Sequence, residues 1–282
     1  AFVESDFYAK VGVLDGLPPL RGSVPLEQEE YELLSSGENN SNNFIDKDQG
    51  RYVDTYYSLW SASGLAAVWA EENTRESIFA AFRRKETYAT SGNRIKLRFF
   101  GGFDFGQLDL TSNNLIKEAY KRGVPMGGSL VSDEVRSPEF LIWAQKDPKT
   151  TSLQRLQVIK GWIDPSDGST YEKVYDAACS DGLKVNPVTN RCPDNGARVN
   201  LSNCSVSDLG EVELKTVWTD PEFNPNESAF YYVRVLENPS CRWTAWDAVN
   251  NGKKPREDFD HITQDRAWSS PIWYSPSSLN EE

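Results

Sequence analysis

Histidine and methionine are almost missing from this chain, which holds one of each, His261 and Met126, in 282 residues. One imidazole cannot assemble a histidine-based metal site, and four cysteines without a C-x-x-C pair do not suit a zinc finger or ribbon. No stretch approaches the roughly 18 to 20 apolar residues that a helix needs to cross a bilayer, so no membrane span is expected. The first residues do not show the basic-then-apolar pattern expected of a leader, and no G-x-S-x-G elbow marks a nucleophilic serine. Basic clusters are also absent: 30 Lys plus Arg stand against 42 Asp plus Glu, a formal charge of -12. Such a surface repels phosphate backbones and argues against nucleic acid as a partner. The start at Ala1 leads us to expect a processed product or a piece of a longer protein.

What is present suffices for a packed core: 38% hydrophobic and 12% aromatic residues place the chain among globular proteins. Cys179, Cys192, Cys204 and Cys241 all lie in the C-terminal half, amid Gly, Asn and Pro. Their even number reads as two disulfides, which implies an oxidising compartment, periplasmic or extracellular. Three pairings are possible. Cys179–Cys192 with Cys204–Cys241 is favoured because the first closes a short loop of about 14 residues, a closure that contributes on the order of 3 kcal/mol on the chain-entropy model.

The turn-rich opening FYAKVGVLDGLPPLRGSVPL gives way to a polar stretch near 28–50, which predicts a mobile surface insertion. GLAAVWA (64–70) reads as a strand buried on both faces, and 73–86 as a helix capped by Asn73, with Glu76 in the capping-box position. Strand, acidic loop and helix together follow the grammar of an α/β unit. From residue 95 the texture is β-rich: IKLRFF, FLIWAQ, LQVIKGWI, TYEKVYDA, VELKTVW and FYYVRVLE read as strands, with a hairpin at DPSDGS and one helix at 112–122. That spacing suggests a β-sandwich.

The run WSASGLAAVWAEENTRESIFAAFRRKETYATSGNRIKLRFF, with LQRLQVIKGW, VYDAACSDG, RCPDNGARVNL, AFYYVRVLENPSCRW and RAWSSPIWYSP, resembles the proteins grouped as domain of unknown function 3604. The resemblance covers nearly the whole chain. Full-length members look like relatives of the PHP (polymerase and histidinol phosphatase) metal-dependent phosphoesterases, with histidine-rich metal motifs in an N-terminal half that this chain does not contain. It therefore implies an α+β fold: the C-terminal edge of a PHP-like α/β barrel over 1–94, then a disulfide-bonded β-sandwich-like domain over 95–282. It also implies the C-terminal portion of a secreted or periplasmic metal-dependent hydrolase, inactive alone. Zinc, manganese or iron is expected only in the full-length protein. The implied partner is the missing N-terminal half, or another subunit covering 1–94.

On that reading Glu71, Glu72 and Asn73 end a barrel strand at the active-site rim. Arg75 and Arg94 flank the following helix as clamps for phosphate, sulfate or carboxylate. The plain alternative is that the acids complement the helix dipole, Asn73 caps the helix and the arginines pair on the surface. His261 reads as a packing or surface residue. DPSDGST and DPEFNPNES gather oxygens for calcium, yet turn chemistry explains both. The Asn39, Asn200, Asn203 and Asn226 sequons carry weight only if the source glycosylates. Trp162, Trp243, Trp246, Trp268 and Trp273 suit a sandwich core, or a carbohydrate platform if at least two neighbouring rings are exposed. The competing functional expectation is thus a non-enzymatic structural or glycan-binding β-module.

Overall fold

Period-two patterns dominate the chain, and they fold into strands. The computed structural model describes residues 2–4, 25–36, 43–54, 64–132 and 136–276. The first elements are β1 (Phe2–Glu4), α1 (Gln28–Ser35), β2 (Asn43–Lys47), β3 (Gly50–Asp54), β4 (Leu65–Val68), α2 (Arg75–Arg83), β5 (Thr87–Thr90) and β6 (Lys96–Gly102). Next come α3 (Leu115–Arg122), β7 (Gly123–Pro125), β8 (Ser129–Ser132), β9 (Glu139–Gln145), β10 (Leu153–Ile163) and β11 (Thr170–Cys179). The remainder comprises β12 (Val199–Asn200), β13 (Ser205–Val206), β14 (Glu213–Thr219), β15 (Ser228–Glu237), β16 (Ser240–Cys241), α4 (Trp243–Asn250), β17 (Ile262–Thr263), β18 (Arg266–Ser269) and β19 (Ile272–Pro276).

Nine strands form one sheet, with a path β1-β4-β5-β18-β15-β10-β11 and with β19 joining β15 to β8. Four form a second, in the order β14-β9-β6-β7. Leu156, Val158, Tyr231, Val233 and Val235 of the large sheet pack on Leu97, Phe99, Phe140, Ile142 and Leu214 of the small one, and this interface is the main core. α3 covers the far side of the small sheet through Leu115 and Ala119 against Phe100 and Leu141.

The expected α+β class with a barrel edge over 1–94 is overturned. β4 runs antiparallel to both β5 and β1, in the register Leu65↔Thr90 and Val68↔Thr87. An α/β barrel needs parallel neighbours joined by crossover helices. Here α2 only links two antiparallel neighbours, and β5 pairs onward with β18, so this part of the chain extends the sandwich sheet. Ala66 of β4 is exposed, which shows that this strand is not buried on both faces. The apolar stripe of α2 is not buried either: Ala81 is covered, whereas Phe79 is 64% and Phe82 45% exposed.

The expected hairpin is β10–β11, paired from Arg155↔Cys179 to Ile163↔Thr170. Both favoured disulfides form, Cys179–Cys192 and Cys204–Cys241. The polar stretch holds α1 and the β2–β3 hairpin, docked on 253–259 by the Lys253–Glu27 ion pair, Lys47 to Asp258 at 3.2 Å and Arg256 over the Tyr52 ring at 5.0 Å. The turn-rich opening up to Val24 and the Asn39 sequon lie outside the described residues.

Glu237, at the end of β15, is buried, and its carboxylate accepts from the Thr150 hydroxyl at 2.7 Å. Burial, with Asp265 nearby, pushes its carboxyl up to about 7. The folded chain then holds a proton that the unfolded chain releases near the ordinary glutamate value. Stability from this group is therefore full below about pH 4.5, falls as pH rises toward 7, and is lost above, by up to about 3 kcal/mol at 1.36 kcal/mol per pH unit. Urea unfolding across this range is expected to show that slope in the wild type and to lose it in Glu237→Gln.

Candidate functional site

Glu71, Glu72 and Asn73 occupy an exposed bend before α2, and Arg75 is the helix's exposed first residue. The cap is Thr74 rather than Asn73: its hydroxyl accepts the Ser77 N–H at 3.3 Å, and the Glu72 N–H donates to the Ser77 hydroxyl at 3.1 Å. Arg94 lies past the opposite end of β5, about 10 Å away along the strand at roughly 3.3 Å per residue. Its backbone N–H donates to Asp147 at 2.8 Å. The structure thus gathers four of the five rim candidates and sets Arg94 apart.

Among the described residues, no three His, Cys, Asp or Glu side chains are grouped to hold a metal ion. His261 is half-buried, and its carbonyl accepts from the Arg242 N–H at 2.7 Å. In DPSDGST, Asp164 accepts from the Ser166 N–H at 2.8 Å and Asp167 from the Ser169 N–H at 2.8 Å, which is turn chemistry.

A groove of about 260 Å³ opens on the small sheet, lined by Trp69, Lys96, Arg98, Ile116, Trp143 and Gln145. Its rings are already engaged. Arg98 lies 3.4 Å over Trp69 and Lys215 lies 4.3 Å over Trp143. Both indole N–H groups are spent as well, on the Leu97 carbonyl at 2.7 Å and on Glu213 at 2.7 Å. A sugar ring would find little open aromatic face here.

The outer face of the large sheet is different. Along β15, Ala229, Tyr231, Val233 and Val235 turn into the core, which turns Phe230, Tyr232 and Arg234 outward. Register sets Trp273 beside Phe230 and Trp268 beside Arg234. Opposite Phe230 stands Gly161, where a Cβ would lie 2.3 Å from the ring, so the ring rests on bare backbone. Phe230 and Tyr232 are nearly parallel, with centroids 6.4 Å apart, and Trp273 is 5.4 Å from Phe230 and 45% exposed. From Phe230 to Arg234 the strip runs about 13 Å.

Its polar groups are largely uncommitted. The Trp268 and Trp273 indole N–H groups and the Tyr232 hydroxyl have no hydrogen-bond partner among the described residues. Arg234 spends its Nε on Gln157 at 2.7 Å, and Gln157 in turn donates to buried Asp176 at 2.6 Å, so the guanidinium is held in place from below. Burial, with the charges of Arg266 and Arg191 nearby, holds Arg234 below its ordinary value. Burial, with Glu172 beside it, raises the Tyr232 phenol. The result is a row of rings ending in clustered guanidinium charge.

Of the five tryptophans singled out from the sequence, Trp268 and Trp273 belong to this strip, while half-buried Trp162 stacks on Tyr171 at 5.4 Å. Sequence reasoning missed Phe230, Tyr232 and Arg234. The available clue was that the outward positions of FYYVRVLE carry rings instead of small polar groups. Because Gly161 seats Phe230, Gly161→Ala is expected to lift the ring and cost about 1 to 3 kcal/mol, read by denaturant unfolding.

Comparison with known proteins places the sequence in a family. A family model described as Protein of unknown function (DUF3604) matches residues 4–276. An uncharacterized protein of Chlamydia trachomatis serovar D is 25% identical over 278 residues, covering 90% of this chain and 30% of that protein. The chain therefore spans less than a third of the length of the curated relative it matches. No solved structure matches. With almost its whole length matched, the chain belongs to the DUF3604 family of proteins of unknown function.

Proposed function

We propose that this chain is a non-enzymatic binding module that holds an acidic glycan, one bearing carboxylates, on the outer face of its large sheet. The observation that carries the reading is the row Trp273, Phe230 and Tyr232 ending at Arg234. Flat rings take the apolar faces of sugars, and free indole and phenol groups take hydroxyls. A guanidinium held by a neighbour takes a carboxylate through two parallel hydrogen bonds. The positive cluster sits on a chain of net charge -12, so an anion is drawn to this face in preference to the rest of the surface. Two disulfides suit an oxidising setting, periplasmic or extracellular, and among the described residues no helix is long and apolar enough to cross a membrane.

A second reading keeps the chain as the C-terminal portion of a PHP-like metal-dependent hydrolase. The exposed Phe79 and Phe82 favour it, as a face that the N-terminal half of a longer protein or another subunit would cover. It predicts that an added histidine-rich N-terminal fragment binds through α2 and brings zinc, manganese or iron with it. A fragment that fails to bind sinks this reading.

Calorimetric titration with a galacturonic acid tetramer tests the binding reading, with a neutral glucose tetramer as control. Binding of the acidic sugar is expected, with weakening at high salt. Trp273→Ala is expected to lower affinity by about tenfold, equivalent to about 1.4 kcal/mol. Equal binding of the neutral sugar, or no heat with either, would overturn the reading.

A further inference from the structure

Lys160 lies on the inward side of β10, a position flanked by core residues, with 2% of its side chain exposed. Its Nζ is 2.8 Å from Oδ2 of Asp220, the residue that follows β14, and that carboxylate is fully buried. The contact therefore spans the sandwich from the large sheet to the end of a strand of the small one. Nζ also donates to the Glu222 carbonyl at 2.8 Å, and Glu227 Oε2 stands 3.9 Å away. Tyr231, directly across from Lys160 in the β10–β15 register, donates its hydroxyl to the same Oδ2 at 2.8 Å. Aromatic rings enclose the group: Trp162 at 5.1 Å and Tyr231 at 6.0 Å from Nζ, with Phe140 4.5 Å from Tyr231.

Stability alone does not call for such a pair. Burying two charges costs several kcal/mol per ion, and well-packed apolar residues generally serve as well or better. What the arrangement supplies is a nucleophile, a carboxyl carbon, a proton carrier and a hydrogen-bond donor, held together away from water.

We propose that Lys160 and Asp220 are joined after folding by an intramolecular isopeptide bond. Glu227 takes one proton from the Lys160 ammonium, and the freed amine attacks Cγ of Asp220 while the Tyr231 hydroxyl polarises Oδ2. The C–O bond then breaks. The departing oxygen takes one proton back from Glu227 and one from the attacking nitrogen, and leaves as water. An ammonium and a carboxylate become one amide and one water, with no oxidant, metal or cofactor consumed. Burial, with the Asp220 charge, pushes the Tyr231 phenol far up, which keeps it a donor throughout.

The test is the intact mass of the folded, purified chain after unfolding and disulfide reduction. It is expected to be one water, about 18 Da, below the sequence mass. Trypsin is expected to leave the peptide bearing Lys160 attached to the one bearing Asp220, and Lys160→Arg is expected to show its full sequence mass. A wild-type chain at full sequence mass, cut by trypsin after Lys160, overturns the proposal without any variant having to fold. Glu227→Gln is expected to keep its β circular dichroism and remain uncrosslinked. Complete crosslinking in that variant would overturn the role given to Glu227.

Discussion

A large sheet whose inner face is closed by a second sheet is the constraint on which the rest of this molecule depends. Its inner face is closed by the four-stranded sheet, through Phe140, Ile142 and Tyr231 among others. Among the described residues no helix covers its outer face, and alternate side chains of β15 line it. Ile159 alternates outward from Val158 and Lys160 and is fully buried. On the same face, Phe230 is seated on Gly161. The rings that protect the backbone are thus the same rings that stand ready for a ligand.

The sheet's β11 edge is protected by a second device. An open edge is a template for pairing with another chain. Here the loop that follows β11 folds back on it: the Asp176 N–H donates to the Asn190 carbonyl at 2.8 Å, and the Asp176 side chain accepts the Cys192 N–H at 2.6 Å. The Cys179–Cys192 disulfide fixes the loop in that position. Asp176 also supports Gln157 and so Arg234, which links edge protection to the guanidinium at the end of the aromatic strip.

Much of this was legible in the sequence because it is local. Alternation located β6, β9, β10, β11, β14 and β15, and loop length favoured the correct disulfides. Strand direction was not local. GLAAVWA, an acidic turn and a helix look alike whether the next strand returns parallel or antiparallel, and the pairing of β4 with β5 decided the matter against a barrel. The cap at Thr74 instead of Asn73 is a one-residue error of the kind that helix ends invite. Arg94 was grouped with Glu71 by proximity in sequence, but antiparallel register sends them to opposite strand ends. For the outer strip the missing quantity was exposure, since a sequence does not reveal whether Trp69, Trp143 or Trp273 has an open ring face.

The central claim is that the outer face, and not the small-sheet groove, receives a ligand. Indole N–H signals of nitrogen-15-labelled protein, followed during titration with a galacturonic acid tetramer, test it most directly. Trp268 and Trp273 are predicted to shift, while Trp69 and Trp143, already bonded to the Leu97 carbonyl and Glu213, are predicted to stay still. Shifts at Trp69 and Trp143 with Trp268 and Trp273 unmoved would contradict the claim.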